Sequence, residues 1–163
     1  MSRMMQQDLG DGLEDAVKAA ADLYVAQRLV RLGKVATPIA QLTRVQESGK
    51  FTARYERKAH VDYYGVFLEH AGHGLHGRAI AVECKATLES RFTYSSLRPQ
   101  QREWLNDTPL AFVLVHFMRA GGCRLIPWSA FRAGASVKPT DGWAVDAVNC
   151  LAPVLDGRAL AIG

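Results

Sequence analysis

A chain of 163 residues, 48% of them hydrophobic, is long enough to bury a sizeable core and short for two, so a single domain spanning residues 1–163 is expected. Twenty lysines and arginines against sixteen aspartates and glutamates leave a net charge of +4, which favours an anionic partner without demanding one. The first eleven residues lack the apolar centre of a secretory signal, no stretch has the apolar length of a bilayer span, and Cys84, Cys123 and Cys150 lack C-x-x-C spacing, so neither a disulfide framework nor a cysteine zinc site is indicated and a cytoplasmic protein is expected.

Leu13, Val17, Ala20, Tyr24 and the pair Leu29-Val30 recur at helical spacing and predict a long amphipathic helix. Asp11 is its expected N-cap, Glu14 completes a capping-box pattern three residues later, and Gly33 supplies the stop. Residues 38–45 then read as a strand entering a basic segment, 46–60. There Lys50, Arg54, Arg57 and Lys58 alternate with Phe51 and Tyr55, against only Glu47 and Glu56. Basic side chains neutralise phosphates and aromatic rings stack on opened bases, so the segment suits a nucleic-acid grip; a solvated β-hairpin with gatekeeping charges has the same composition.

Val61-Asp62-Tyr63-Tyr64-Gly65 and Val82-Glu83-Cys84-Lys85 follow as consecutive strands, turning around Gly72-His73-Gly74. Strand alternation sends Glu83 and Lys85 to one face and Ile80, Val82 and Cys84 to the other. Asp62 is expected roughly opposite Cys84, which brings its carboxylate near that of Glu83 with the Lys85 ammonium beside both. Two buried like charges repel unless a cation neutralises them, and a hard, oxygen-liganded divalent ion is the usual solution. An ordinary exposed Glu/Lys pair is the competing reading, against which stands the nearly apolar run 79–84. His70, His73 and His76 would share a helical face fit for zinc, but Gly72, Gly74 and Gly77 make that stretch a loop.

A polar loop with Arg91, Thr93 and Arg98, both arginines being candidate DNA contacts, leads to Pro99 as the first residue of a helix containing Gln100, Gln101, Trp104 and Leu105. A strand over Leu110–Phe117, a turn at Gly121-Gly122, a strand through Leu125 and Ile126 and an irregular tail complete an α/β pattern, a mixed sheet covered by helices on its faces. Phosphate-binding P-loop, dinucleotide and serine-elbow motifs are missing, so no nucleotide cofactor is expected.

The ordered set Gly12-Leu13-Glu14, Thr37-Pro38-Ile39, Val61-Asp62-Tyr63-Tyr64-Gly65-Val66, Val82-Glu83-Cys84-Lys85-Ala86-Thr87, Gln100-Gln101 and Phe112-Val113-Leu114-Val115 resembles RecU-type Holliday-junction resolvases of the PD-(D/E)xK nuclease superfamily, over residues 12–128. The resemblance implies a restriction-endonuclease-like core, a homodimer, and Mg²⁺-dependent cleavage of four-way DNA junctions in recombination and repair, with Mn²⁺ as a substitute. It implies that Asp62, Glu83 and the Cys84 carbonyl hold the metal and that Lys85 activates or orients the attacking water. Gln101 would support the site from its helix, Glu14 would approach the metal through water, and residues 46–60 would be the stalk that grips the junction. Val61, Gln100 and Ala86 stand where the family often has threonine, histidine and glutamate. Alternatives are a nuclease of the same superfamily acting on flaps, single strands or a specific duplex, and a mainly architectural junction-binding protein.

Overall fold

The computed structural model describes residues 3–36, 39–44, 51–55, 61–133 and 136–160. Helix α1 spans Arg3–Ala26 and buries Leu13, Val17, Ala20 and Tyr24 of the periodic set read from the sequence, with Ala21 beside them. It starts well before Asp11, which is therefore an interior residue and not the N-cap, and Glu14 pairs with Lys34 instead of closing a capping box. The helix also ends earlier than expected. Arg28 turns into the left-handed region (φ 58°), its carbonyl accepts the His70 N–H at 3.1 Å, and Val30–Lys34 becomes strand β1. Val30 and Leu32 are buried and Arg31 is exposed, so the period has switched from helix to strand and Gly33 is a strand residue, not a stop.

The central sheet has six strands in the order β1-β4-β5-β7-β8-β10, where β4 is Tyr63–Phe67, β5 Ala79–Thr87, β7 Leu110–Phe117, β8 Gly122–Pro127 and β10 Trp143–Val145. Only β5 and β7 run parallel; the other pairings are antiparallel. A parallel neighbour needs a crossover, and helix α2 (Pro99–Asp107) supplies it. One face packs under α1 around Val17, Tyr24, Phe67, Ile80 and Leu114; the other packs Leu105 of α2 and Phe131 of α3 (Trp128–Ala133) against Ala81, Val113, Val115 and Ile126. The fold class is thus the mixed α/β arrangement anticipated.

The β4–β5 hairpin turns where expected, Gly72, His73 and Gly74 all having positive φ. Tyr63 pairs with Val82, so the register continues to Glu83 opposite Asp62, one residue short of the Cys84 expected there. The tail is more ordered than its composition suggests: β10 adds the sixth strand, and Cys150, Leu151 and Val154, the last in helix α4 (Ala152–Leu155), are wholly buried under α1. The Tyr24 O–H donates to Asn149 Oδ1 at 2.9 Å, and its oxygen accepts the Leu151 N–H at 3.0 Å. A two-stranded sheet of β6 (Phe92–Thr93) and β9 (Ser136–Val137) ties the polar loop to the chain following α3.

Strands β2 (Ile39–Arg44) and β3 (Phe51–Tyr55) form an antiparallel pair that shares no ladder with the central sheet. The described part of the expected basic segment, 51–55, is thus paired with the strand that precedes it. Phe51, Arg54 and Tyr55 lie on β3; Thr37, Pro38, Lys50, Arg57 and Lys58 lie outside the described residues.

Where β1 crosses Gly65, the two backbones meet directly. A Cβ at residue 65 would stand 2.1 Å from the Arg31 carbonyl oxygen and 2.9 Å from the Leu32 Cα, whereas one at Gly33 meets only the Tyr64 carbonyl at 3.8 Å. Gly65→Ala is expected to cost roughly 1–3 kcal/mol, the usual penalty for forcing atoms into packed space, and Gly33→Ala much less. Urea unfolding of the two variants checks this.

Candidate active site

The side chains read from the sequence converge where β4 begins, midway along β5 and on the first turn of α2. Glu83 is 0% exposed. Its Oε2 accepts the Asp62 N–H at 3.1 Å; its Oε1 accepts Gln101 Nε2 and pairs with Lys85 Nζ. Gln101 is held in turn, its Oε1 accepting the Arg98 N–H at 2.9 Å. That geometry follows from the sequence, because Pro99 opens the helix and places Gln101 where a side chain can turn back onto the N-cap amide. Asp62 Oδ2 accepts the Cys84 N–H at 2.8 Å, and the Asp62 carbonyl accepts the Val35 N–H at 2.8 Å. Asp62 is therefore fixed by β5 on one side and by the end of β1 on the other.

Glu14 lies at the margin of this group. Its carboxylate pairs with Lys34, its carbonyl accepts the Tyr63 O–H at 3.0 Å, and both charges of the pair act on Asp62, Glu14 raising its pKa and Lys34 lowering it. Lys34 was not singled out from the sequence. The signal was the Val30/Leu32 alternation, which as a strand ends at Lys34 beside Asp62.

Burial, and then the neighbouring Asp62 carboxylate, push Glu83 up to about 7 against the opposing pull of Lys85. Burial likewise raises Asp62, opposed by Lys85 and by the Cys84 amide. The pair thus holds negative charge reluctantly, which is the electrostatic condition a bound cation relieves. Among the described residues no three His, Cys, Asp or Glu side chains group so as to hold a metal. The Cys84 side chain belongs to the α1-side core, so only its backbone is available. Two carboxylates with carbonyl, water and phosphate oxygens completing the shell fit a hard ion that keeps several waters, as Mg²⁺ does.

Arg98 is exposed at the N-cap of α2, and its N–H is the one that Gln101 accepts; Arg91 is exposed on the loop before β6, where its Nη1 donates to Ser136 Oγ at 3.5 Å. His70, His73 and His76 sit in the β4–β5 loop, where His70 Nδ1 lies 3.3 Å from the Gln27 carbonyl.

The model of the family Recombination protein U (RecU) matches residues 8–139. The chain belongs to the RecU family. RecU proteins are Holliday-junction resolvases, and the chain is accordingly a junction-cleaving endonuclease. Among solved structures it is similar to Hjc of Archaeoglobus fulgidus, described as a Holliday junction resolvase from an archaeal hyperthermophile, with 16% identity, a TM-score of 0.39 and coverage of 73% of this chain and 84% of that one. No curated protein sequence matches significantly. Within the described residues of this RecU-family chain, no helix is long and apolar enough to cross a membrane.

The raised Glu83 pKa has a definite sign in stability. Below the ordinary carboxylate value both folded and unfolded states carry the proton; between about 4.5 and about 7 the unfolded state releases it first, so stability falls as pH rises through that window. In EDTA, the wild type is expected to lose on the order of 1–3 kcal/mol relative to Glu83→Gln across it. Urea midpoints from about pH 4 to 8 measure the difference; a wild type that gains on the variant with rising pH contradicts the assignment.

Proposed function

We propose that the chain resolves four-way DNA junctions as a homodimer, by Mg²⁺-dependent phosphodiester hydrolysis at Asp62, Glu83, Lys85 and Gln101, with Mn²⁺ able to substitute. The carrying observation is the wholly buried Glu83 carboxylate beside Asp62, with Lys85 and Gln101 on the same oxygen. Asp62, Glu83 and the Cys84 carbonyl would hold the cation, which supplies a nucleophilic water at neutral pH and compensates charge growing on the phosphate.

The protein's own groups do the remaining work. Gln101 keeps Glu83 in one rotamer, the Cys84 amide keeps Asp62 in another, and Lys85, one-quarter exposed at the mouth of the site, faces the water and the phosphate. Glu14 holds Lys34 next to Asp62, so the first helix tunes the site through that ion pair. Phe51, Arg54 and Tyr55 on β3, with Lys50, Arg57 and Lys58, form the junction grip, and Arg91 and Arg98 steer the incoming strand. A single nuclease domain working in the cytoplasm completes the proposal.

Asp62→Asn and Glu83→Gln remove a negative charge at nearly constant volume. Each should reduce cleavage of a labelled junction roughly a hundredfold or more while junction binding in EDTA persists. Lys85→Met should bind and cut poorly. The test compares the junction with its matched linear duplex, in Mg²⁺ and in EDTA; both carboxylate variants cutting normally at saturating Mg²⁺ would remove the metal site from the mechanism. Preference for linear duplex, flap or single strand would reassign the substrate.

Two symmetric cuts need two sites related by a two-fold axis, which a closed dimer provides. Light scattering at micromolar concentration should give twice the protomer mass. A protein that stays monomeric on DNA would overturn the paired-cut part of the proposal and leave the chemistry intact.

A further inference from the structure

One turn of α2 carries two different polar residues. Gln101 points inward to Glu83, and the next residue round the helix, Arg102, lays its guanidinium over the Tyr94 ring, 4.7 Å from the ring centroid. Tyr94 is itself fixed: it stacks on Trp128 (5.5 Å, 21° between planes), and Trp128 stacks on Phe131 (5.8 Å, 27°). Trp128 is 2% exposed and its Nε1–H donates to Asn106 Oδ1 at 2.8 Å, which locks α3 to α2. The column therefore rests on the core of the α2 face, and Arg102 is its outermost member.

Among the described residues the charge of Arg102 is unanswered. Its Nε is buried and has no hydrogen-bond partner, and none of the four ion pairs among the described residues includes it. Arg98 stands four residues earlier, a like charge one turn away and equally without a carboxylate among the described residues. A stacked ring orients a guanidinium but does not neutralise it, and a partly desolvated cation held in one geometry is costly unless an anion meets it. A planar fork of donors pre-set on a rigid platform is the arrangement that recognises phosphate in two-point fashion.

We propose that Arg102, clamped on Tyr94, is a phosphate-binding residue that takes a backbone phosphodiester of the DNA strand running into the Asp62–Glu83 site. The inference rests on the DNA-cleaving reading above and deepens it. Because Gln101 and Arg102 share a helical turn, a phosphate seated on Arg102 stands in fixed register to the carboxylate that Gln101 holds. Arg102 thus acts as a DNA-binding residue, and its contribution is to holding the strand and not to the chemical step.

Junction binding in EDTA across a salt series, and cleavage kinetics in Mg²⁺, test this on the full-length protein. Arg102→Gln is expected to weaken binding and to flatten the slope of log affinity against log salt by about 0.7–0.9, the loss of one phosphate contact. In cleavage its KM should rise several-fold with kcat little changed. Tyr94→Leu keeps the charge but removes the platform, so affinity should fall with the slope retained; Tyr94→Phe should behave as wild type. Arg102→Lys, which keeps the charge if Gln impairs folding, should restore the slope without the full affinity. A folded Arg102→Gln protein with unchanged slope and KM, alongside a wild type that binds and cuts junctions, would make Arg102 a lid over Tyr94 and overturn the inference alone. A wild type that neither binds nor cuts junctions would instead overturn the resolvase reading.

Discussion

The burial of one carboxylate, Glu83, is the constraint on which the arrangement of the other elements depends. A fully buried carboxylate costs several kcal/mol unless its oxygens are met by donors. Here the donors come from three places: the Asp62 amide at the start of β4, Lys85 on β5 itself and Gln101 on α2. The Asp62 amide and Gln101 each fix a separate element relative to β5, and Lys85 closes the pair from within the strand. The crossover between β5 and β7 must be made by some helix, but only a helix opening at Pro99 puts residue 101 over residue 83. Burial and charge oppose each other at this point, since a well-packed apolar side chain at position 83 would need none of these donors.

The two faces of the sheet divide the labour. The α1 face is apolar to the edge of the site, with Val82 and Cys84 turned into it, and it anchors the strand. The α2 face begins as core at Ala81 and Val113 and changes to charge at Glu83 and Lys85 within a few residues. Strand alternation alone produces this division, because consecutive residues of β5 belong to opposite faces. The aromatic column of Tyr94, Trp128 and Phe131 lies on that same face, so the rigid platform and the charged site share one support.

Much of this was legible in the sequence because it is local. The Glu-x-Lys strand, the glycine loop before it, Pro99 and Gln101 are spacing rules confined to a few residues, and each was found where expected. What the sequence misstated was decided at long range. Asp11 and Glu14 match a capping box, yet Glu14 finds Lys34 twenty residues on, and the helix has already begun at Arg3. Val30 and Leu32 fit a helix continuing from Tyr24 until Arg28, a residue with no intrinsic liking for positive φ, is held there by tertiary contacts and hands the segment to β4. The one-residue register difference at Asp62 comes from the length of the loop, which composition does not set. The tail reads as irregular because its buried residues, Cys150, Leu151 and Val154, are few and closely spaced, and the surface they cover, which includes α1, is distant in the chain.

The tie between Tyr24 and the Asn149/Leu151 turn has a consequence for the order of assembly. The bonded groups are 125 and 127 residues apart in the chain. While the polypeptide leaves the ribosome, α1 is made early but the surface that seats its hydroxyl emerges only after all six strands of the central sheet. Loop closure over that separation carries a large entropic cost and cannot precede the synthesis of residues 149–151. α1 also carries Glu14, and through it Lys34, so the helix that the tail covers is the one that shapes part of the charge around Asp62. A chain still under synthesis therefore holds all six strands of the sheet before the turn that receives the Tyr24 hydroxyl exists.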